Sequence, residues 1–210
     1  MATSQEFSSP PLLSAQTKDA LLPYPELLQK LLIHRGIEDS ESAEIFLDPD
    51  YEAGTHDPFL LHDMEKAVLR ILKALEKNEK VTIYADFDAD GIPGAVILHD
   101  FFRKVGHDNF DVYIPHRHDE GYGVHQDAID TLVARGTELL ITIDVGISYA
   151  AEVAYAQDHG IDVIVTDHHE PSGDVPEAVA VVNPKLPVNQ SSKSDGESYP
   201  DPMLCGAEVI

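Results

Sequence analysis

Three short apolar runs in this sequence end on residues that could bind a cation. Val81–Ala85 leads into Asp86, Asp88 and Asp90, Leu139–Ile143 into Asp144, and Asp162–Thr166 into Asp167, His168 and His169. Carboxylates brought together repel one another, and burial sharpens the repulsion; a divalent cation relieves it. Oxygen donors with imidazole suit Mn2+ or Mg2+ better than structural zinc, which favours thiolates. The single cysteine, Cys205, excludes a multi-cysteine zinc site and an internal disulfide framework. Two such ions can bridge a phosphate, generate hydroxide and stabilise a leaving oxygen. A lone aspartate after a strand is more often a turn residue or a helix cap. The weight of the argument lies in the conjunction of three strand ends.

The elements that must position these groups alternate in period. β-Branched runs at 81–85, 111–114, 139–143, 162–166 and 178–182 are separated, for the most part, by helical patterns at 92–105, 126–134 and 149–159, with Gly136 and Gly160 where helix C-caps belong. Such alternation predicts an α/β domain over 81–210, a parallel sheet with helices on both faces. All strand C-termini then lie on one edge, which gathers the carboxylates and imidazoles into one cleft. A small helical N-terminal extension is expected over 23–80. It would hold one helix over 25–32 with Leu27, Leu28, Leu31 and Leu32 on one face, and a second capped by Asp39 or Ser40. A longer helix follows Asp63, with Met64, Val68, Ile71, Leu72 and Leu75 as its apolar face. Residues 1–22, rich in Ser, Pro and Thr, are expected to form a flexible arm, and 187–202 an exposed polar loop.

Other segments offer weaker signals. Gly91, Gly94 and Gly146 follow acidic clusters, where backbone N–H groups could face an anion; tight strand-to-helix turns explain each glycine equally well. Arg117 could grip a phosphate with two parallel hydrogen bonds, and Tyr122 could stack on a base. His116, His118 and His125 are expected to be solvated. Asp86-Phe87-Asp88-Ala89-Asp90-Gly91 looks like the start of a calcium loop, but the twelfth position, which must be Glu, is Ile97, and a strand precedes it. A phosphatase using an aspartate nucleophile would leave Asp167-His168-His169 unexplained.

Composition sets outer limits. With 43% hydrophobic residues the chain can bury a core. A net charge of −24 argues by itself against nucleic acid, whose phosphates are usually met by Lys and Arg. Residues 1–16 carry no signal-peptide pattern, and no apolar run approaches the roughly 20 residues that cross a bilayer. The expectation is a soluble, cytoplasmic protein with no membrane partner.

Taken together, the motifs resemble the DHH phosphoesterase family, and its RecJ branch in particular. The resemblance rests on 86–91, on Ile114-Pro115-His116-Arg117 with Glu120-Gly121-Tyr122-Gly123, on 142–148, and on Val165-Thr166-Asp167-His168-His169-Glu170-Pro171, followed by Val182-Asn183-Pro184. It implies a two-metal site for Mn2+ or Mg2+. Asp88 and Asp144 would hold one ion, and Asp90, Asp144 and His168 the other, with Asp86 and Asp167 supporting the cluster. His169 would contact the scissile phosphate; Arg117, Tyr122, Gly146 and Ser148 would join it in binding substrate. The implied reaction is stepwise 5′-to-3′ hydrolysis of single-stranded DNA by metal-activated water, in DNA repair and recombination. The alternatives are a family phosphodiesterase acting on short oligonucleotides or cyclic dinucleotides, and a fragment that only binds metal or a partner. Tyr84 stands where some family members carry a histidine ligand. The family's further metal-binding aspartate and its C-terminal domain lie beyond Ile210, so the chain is expected to be the N-terminal piece of a longer protein.

Overall fold

β1 (Val81–Ala85) and β3 (Leu139–Ile143) are buried along their whole length, as strands covered on both faces of a parallel sheet must be. In the computed structural model, which describes residues 15–187 and 199–210, these two join β2 (Phe110–Tyr113), β4 (Asp162–Thr166) and β5 (Ala180–Val182) in one sheet of order β2-β1-β3-β4-β5. Every pairing is parallel. Side chains alternate across it. Leu139, Ile141 and Ile143 join one core with Ile83, Ile164 and Phe102, while Leu140 joins the other with Tyr84, Val163 and Ile129. The α/β architecture with helices on both faces stands as expected from the sequence.

Residues 15–56 form one compact unit, and 57–210 form another that contains the whole sheet. In the first unit lie α1 (Ala15–Ala20), α2 (Glu26–Ile33), α3 (Ser40–Leu47) and α4 (Tyr51–Gly54), around Leu21, Leu32, Ile33 and Ala43. Two expectations change here. The arm expected over 1–22 ends in a helix, and Leu21 is fully buried; residues 1–14 lie outside the described residues. On α2, Leu32 is buried and Leu28 partly so, but Leu27 and Leu31 are exposed, because the Leu28/Leu32 ridge faces inward with Ile33 and the Leu27/Leu31 ridge lies farther round the helix. Asp39 caps α3 as expected, accepting from the Ser42 N–H at 2.8 Å.

The sheet-bearing unit starts ahead of the boundary expected at residue 81, because α5 (Met64–Lys77) packs on the sheet. Its inward stripe is Ala67, Ile71 and Ala74, with Met64 and Leu75 beside it, whereas Leu72 is exposed. Alanines let the helix axis approach the strands closely. Asp63 precedes this helix but does not cap it: its carboxylate accepts from Val181 N–H of β5 at 3.3 Å. Farther along, Arg70 is buried between Glu79 (2.7 Å) and Asp162 (2.6 Å), tying α5 to the N-terminal end of β4. α6 (Gly91–Val105) shares the face with α5, and α7 (Gln126–Ala134) and α8 (Ala150–Asp158) cover the other. α9 (Gly206–Val209) packs on α6. Of the polar loop expected over 187–202, residues 188–198 lie outside the described residues, and Tyr199 is buried. Among the described residues no helix is long and apolar enough to cross a membrane.

Candidate metal centre

The sheet's hydrogen-bond ladder runs one residue past the strands, and that residue is aspartate three times. Asp86 N–H donates to the Ile143 carbonyl (3.2 Å), Asp144 N–H to Thr166 (3.0 Å) and Asp167 N–H to Val182 (3.1 Å). Three carboxylates thus stand side by side on the C-terminal edge of β1, β3 and β4. Strand order reverses between β1 and β3, the place where open α/β sheets leave a crevice.

Asp144 lies at the middle of this row and is 1% exposed. Its φ of +61° is left-handed, a conformation few residues other than Gly, Asn and Asp adopt. Two groups of possible ligands share it: Asp86, Asp88 and Asp144, and Asp144, His168 and His169, each with donor atoms within 4.8 Å of one another. Asp90 adjoins them, its Oδ2 3.6 Å from His168 Nε2 and accepting from the Gly206 N–H at 3.3 Å. The sequence-predicted carboxylates and His168 are therefore brought together, and Asp86, expected only in support, stands inside a group.

Two observations fit a divalent cation here. Asp144 Oδ1 is buried and receives no hydrogen bond among the described residues. His168 Nδ1 lies 3.0 Å from the Leu204 carbonyl. A carbonyl only accepts, so Nδ1 carries the hydrogen, which leaves Nε2, 3.1 Å from Asp144 Oδ1, as the ring nitrogen whose lone pair could meet a cation. A lone pair facing a carboxylate is repulsive until a cation or proton lies between them. Burial, together with the hydrogen bond and charge of Asp88 and the charges of Asp167 and Asp90, pushes the Asp144 carboxyl up to about 8. Asp86 is also pushed up, first by burial and also by the charge of Asp88. Burial raises Asp88 too, but N–H bonds from Gly91 (3.0 Å) and Asp90 (2.8 Å), with a bond from Asp144, hold it below the usual carboxylate range.

A pH dependence follows. The folded state of the metal-free protein binds the Asp144 proton more tightly than the unfolded chain does. That stabilisation is complete below about pH 4 and is lost as pH rises through about 8. Asp86 acts in the same sense; the Asp88 contribution fades only in acid, outside that range. The metal-free Tm is expected to fall by several degrees between about pH 5 and about pH 8, and saturating Mn2+ to remove the fall; differential scanning fluorimetry measures both.

Asp167 organises the imidazoles. Its Oδ1 accepts from the backbone N–H groups of His168 (2.7 Å) and His169 (3.1 Å) and from His169 Nδ1 (2.7 Å), while Oδ2 accepts from Ile147 N–H (2.9 Å). With Nδ1 engaged, His169 has Nε2 left for another partner. Tyr122 is half exposed, its ring centroid 6.3 Å from that of His169. Arg117 lies over the Phe87 ring at 4.4 Å and donates to the Phe87 carbonyl at 3.4 Å, beside the acidic loop. Ser148, exposed, shares a 2.8 Å hydrogen bond with Ser172. Gly146, expected to contact substrate through its backbone, follows Asp144 at the end of β3. It is buried at φ +126°, and a Cβ there would stand 2.8 Å from Thr142 Oγ1 and 2.9 Å from Val165. Gly146→Ala should cost about 3 kcal/mol, a left-handed strain added to an overpacked core; urea unfolding measures it. His125, expected to be solvated, is half-buried with its Nε2 enclosed.

Three contributions escape sequence reading: the Leu204 carbonyl, Gly206 and the role of Asn183. The first two act through backbone alone. Asn183, within Val182-Asn183-Pro184, is fully buried and donates to the His169 carbonyl at 3.0 Å; a lone polar residue ending an apolar strand was the available signal.

The chain is similar to known proteins. The model of the DHH family, N-terminal domain, matches residues 80–210. The single-stranded-DNA-specific exonuclease RecJ of Bacillus subtilis (strain 168) is 39% identical over 183 residues, covering 87% of this chain and 22% of the relative. RecJ of Escherichia coli (strain K12) is 36% identical over 171 residues, 81% of this chain and 29% of that protein. The crystal structure of RecJ in complex with Mn2+ from Thermus thermophilus superposes with a TM-score of 0.65 at 27% identity, covering 97% of this chain and 26% of that one. The chain thus spans less than a third of the length of these relatives.

Proposed function

The chain belongs to the DHH family, and from that premise we propose that it is the metal-binding front part of a single-stranded-DNA-specific exonuclease that works with Mn2+ or Mg2+. The observation that carries the reading is the row Asp86, Asp144 and Asp167 on adjacent strand ends, with Asp144 shared by two ligand groups. The RecJ names of the relatives and the manganese in the neighbouring structure favour the substrate and the metal. DNA repair and recombination, in the cytoplasm, is the proposed setting.

In this reading Asp86, Asp88 and Asp144 would hold one cation, and Asp144 and His168, with Asp90 alongside, a second. Such ions supply a polarised phosphoryl oxygen and a water of lowered pKa. The protein's own part is positional. The Leu204 carbonyl fixes the His168 tautomer so that Nε2 faces the carboxylates. The Asp167 carboxylate holds the His169 ring by Nδ1, and Nε2 can then donate to a phosphate oxygen of the strand when protonated. Tyr122 offers a ring for a base to stack on, and Arg117, propped on Phe87, offers a guanidinium to a phosphate.

The test is hydrolysis of end-labelled single-stranded DNA with Mn2+. Stepwise release of mononucleotides from the 5′ end is expected, absent in Asp144→Asn. Cleavage confined to dinucleotides would place the chain with the family's small-substrate phosphodiesterases, and no cleavage of either, by this chain and by a chain extended past Ile210, would contradict the proposal.

A further inference from the structure

Beside the metal centre lies a cleft of about 520 Å³ walled by Tyr122, Ser148, Tyr149, His169, Glu170 and Lys185, among others. Lys185 is the one Lys or Arg among the described residues that line it. That matters in a chain of net charge −24, where a phosphodiester strand meets few cations. The lysine is also built in. Its side chain is only 20% exposed, and its Nζ lies 3.2 Å from Glu170 Oε1, on a side chain 79% exposed. The buried amide of Asn183 links the two loops: Nδ2 donates to the His169 carbonyl (3.0 Å), and Oδ1 accepts from the Lys185 N–H (2.9 Å). The backbone of Lys185 is thereby held in register with the His168-His169 loop, while among the described residues its ammonium pairs with a solvated carboxylate. A pair whose carboxylate is solvated is weak and easily exchanged.

We propose that Lys185 is a substrate-binding residue whose ammonium leaves Glu170 for a backbone phosphate of the DNA strand in the cleft, next to the phosphate at the metal centre. The inference rests on the function proposed above. Glu170 competes with that phosphate for the lysine, so the pair tunes affinity, and Asn183 is the positioning residue that sets the distance from His169.

The test is fluorescence anisotropy with a fluorescein-labelled, phosphorothioate-protected oligothymidylate and Mn2+ over a salt series. Lys185→Ala is expected to weaken binding about tenfold and to reduce the slope of log Kd against log salt by about 0.7, the share of one phosphate contact on a single strand. Lys185→Arg should keep the slope, and Glu170→Gln should bind several-fold more tightly. A purely structural role for Lys185 would shift the melting temperature and leave the slope alone. A slope unchanged by Lys185→Ala, or lost equally in Lys185→Arg, would overturn the inference while leaving the proposed function standing. If neither the unmodified chain nor one extended past Ile210 binds the oligonucleotide, the proposed function falls, and this inference with it.

Discussion

Asp144→Asn is expected to lose more than a hundredfold in Mn2+ affinity and, at about pH 8, to melt several degrees higher than the unmodified metal-free protein. The two effects share one cause. Asp144 is the carboxylate common to both ligand groups. Loss of an outer partner of a metal ligand alone costs about 10–100-fold, so loss of the shared ligand should exceed that. The same carboxylate is buried and crowded by Asp88, Asp167 and Asp90. Replacing it by a neutral amide removes the repulsion that metal would otherwise relieve. Asparagine is the right probe because it tolerates the φ of +61° and keeps the volume; Ala would add backbone strain and confuse the two effects. Mn2+ titration followed by electron paramagnetic resonance, with melting curves on the same samples, reads both. Loss of affinity without the rise in metal-free Tm would mean that crowding is not what the metal relieves.

Gly206→Ala is expected to reduce hydrolysis about a hundredfold with only a small fall in Tm. A Cβ on Gly206 would lie 2.7 Å from both Cβ and Oδ1 of Asp144. Asp144 cannot retreat, because it is buried and its backbone is already held in the left-handed region. The carboxylate must shift instead, and about 1 Å of misplacement at a reacting centre costs roughly 10²-fold. The Gly206 N–H contact to Asp90 would move with it. Gly106→Ala is the control. Its φ of +78° makes alanine costly, about 1 kcal/mol, yet nothing lies within 4 Å of the added carbon. Metal affinity should be untouched there, and steady-state hydrolysis with a Mn2+ titration separates the two variants.

Much of this was legible in the sequence for an identifiable reason. β1 and β3 are buried on both faces, so they read as largely apolar runs broken only by Thr82 and Thr142, and the ladder continues one residue further, so the aspartate ending each run lands on the shared edge. The sequence is less clear where packing depends on small residues or bare backbone. Ala67 and Ala74 carry little apolar weight, so the face of α5 read from Met64, Val68, Ile71, Leu72 and Leu75 missed both alanines and included the exposed Leu72. Pro and Ser in 1–14 gave the whole of 1–22 the look of an arm and hid α1 and Leu21. The Leu204 carbonyl that orients His168 comes from 36 residues away and could have been any residue type. Tyr84, which stands where some relatives of the family carry a histidine, is enclosed in the core and donates to the Gly123 carbonyl at 2.8 Å, so that position serves packing here.

The central claim is that the edge formed by Asp86, Asp144 and Asp167 holds divalent cations. The most direct test is anomalous scattering from crystals of this chain soaked in Mn2+. The account predicts a manganese peak coordinated by the Asp144 carboxylate, with Asp88 or His168 Nε2 among its other ligands. A manganese peak elsewhere, or none, with Asp144 Oδ1 still uncoordinated at saturating Mn2+, would contradict it.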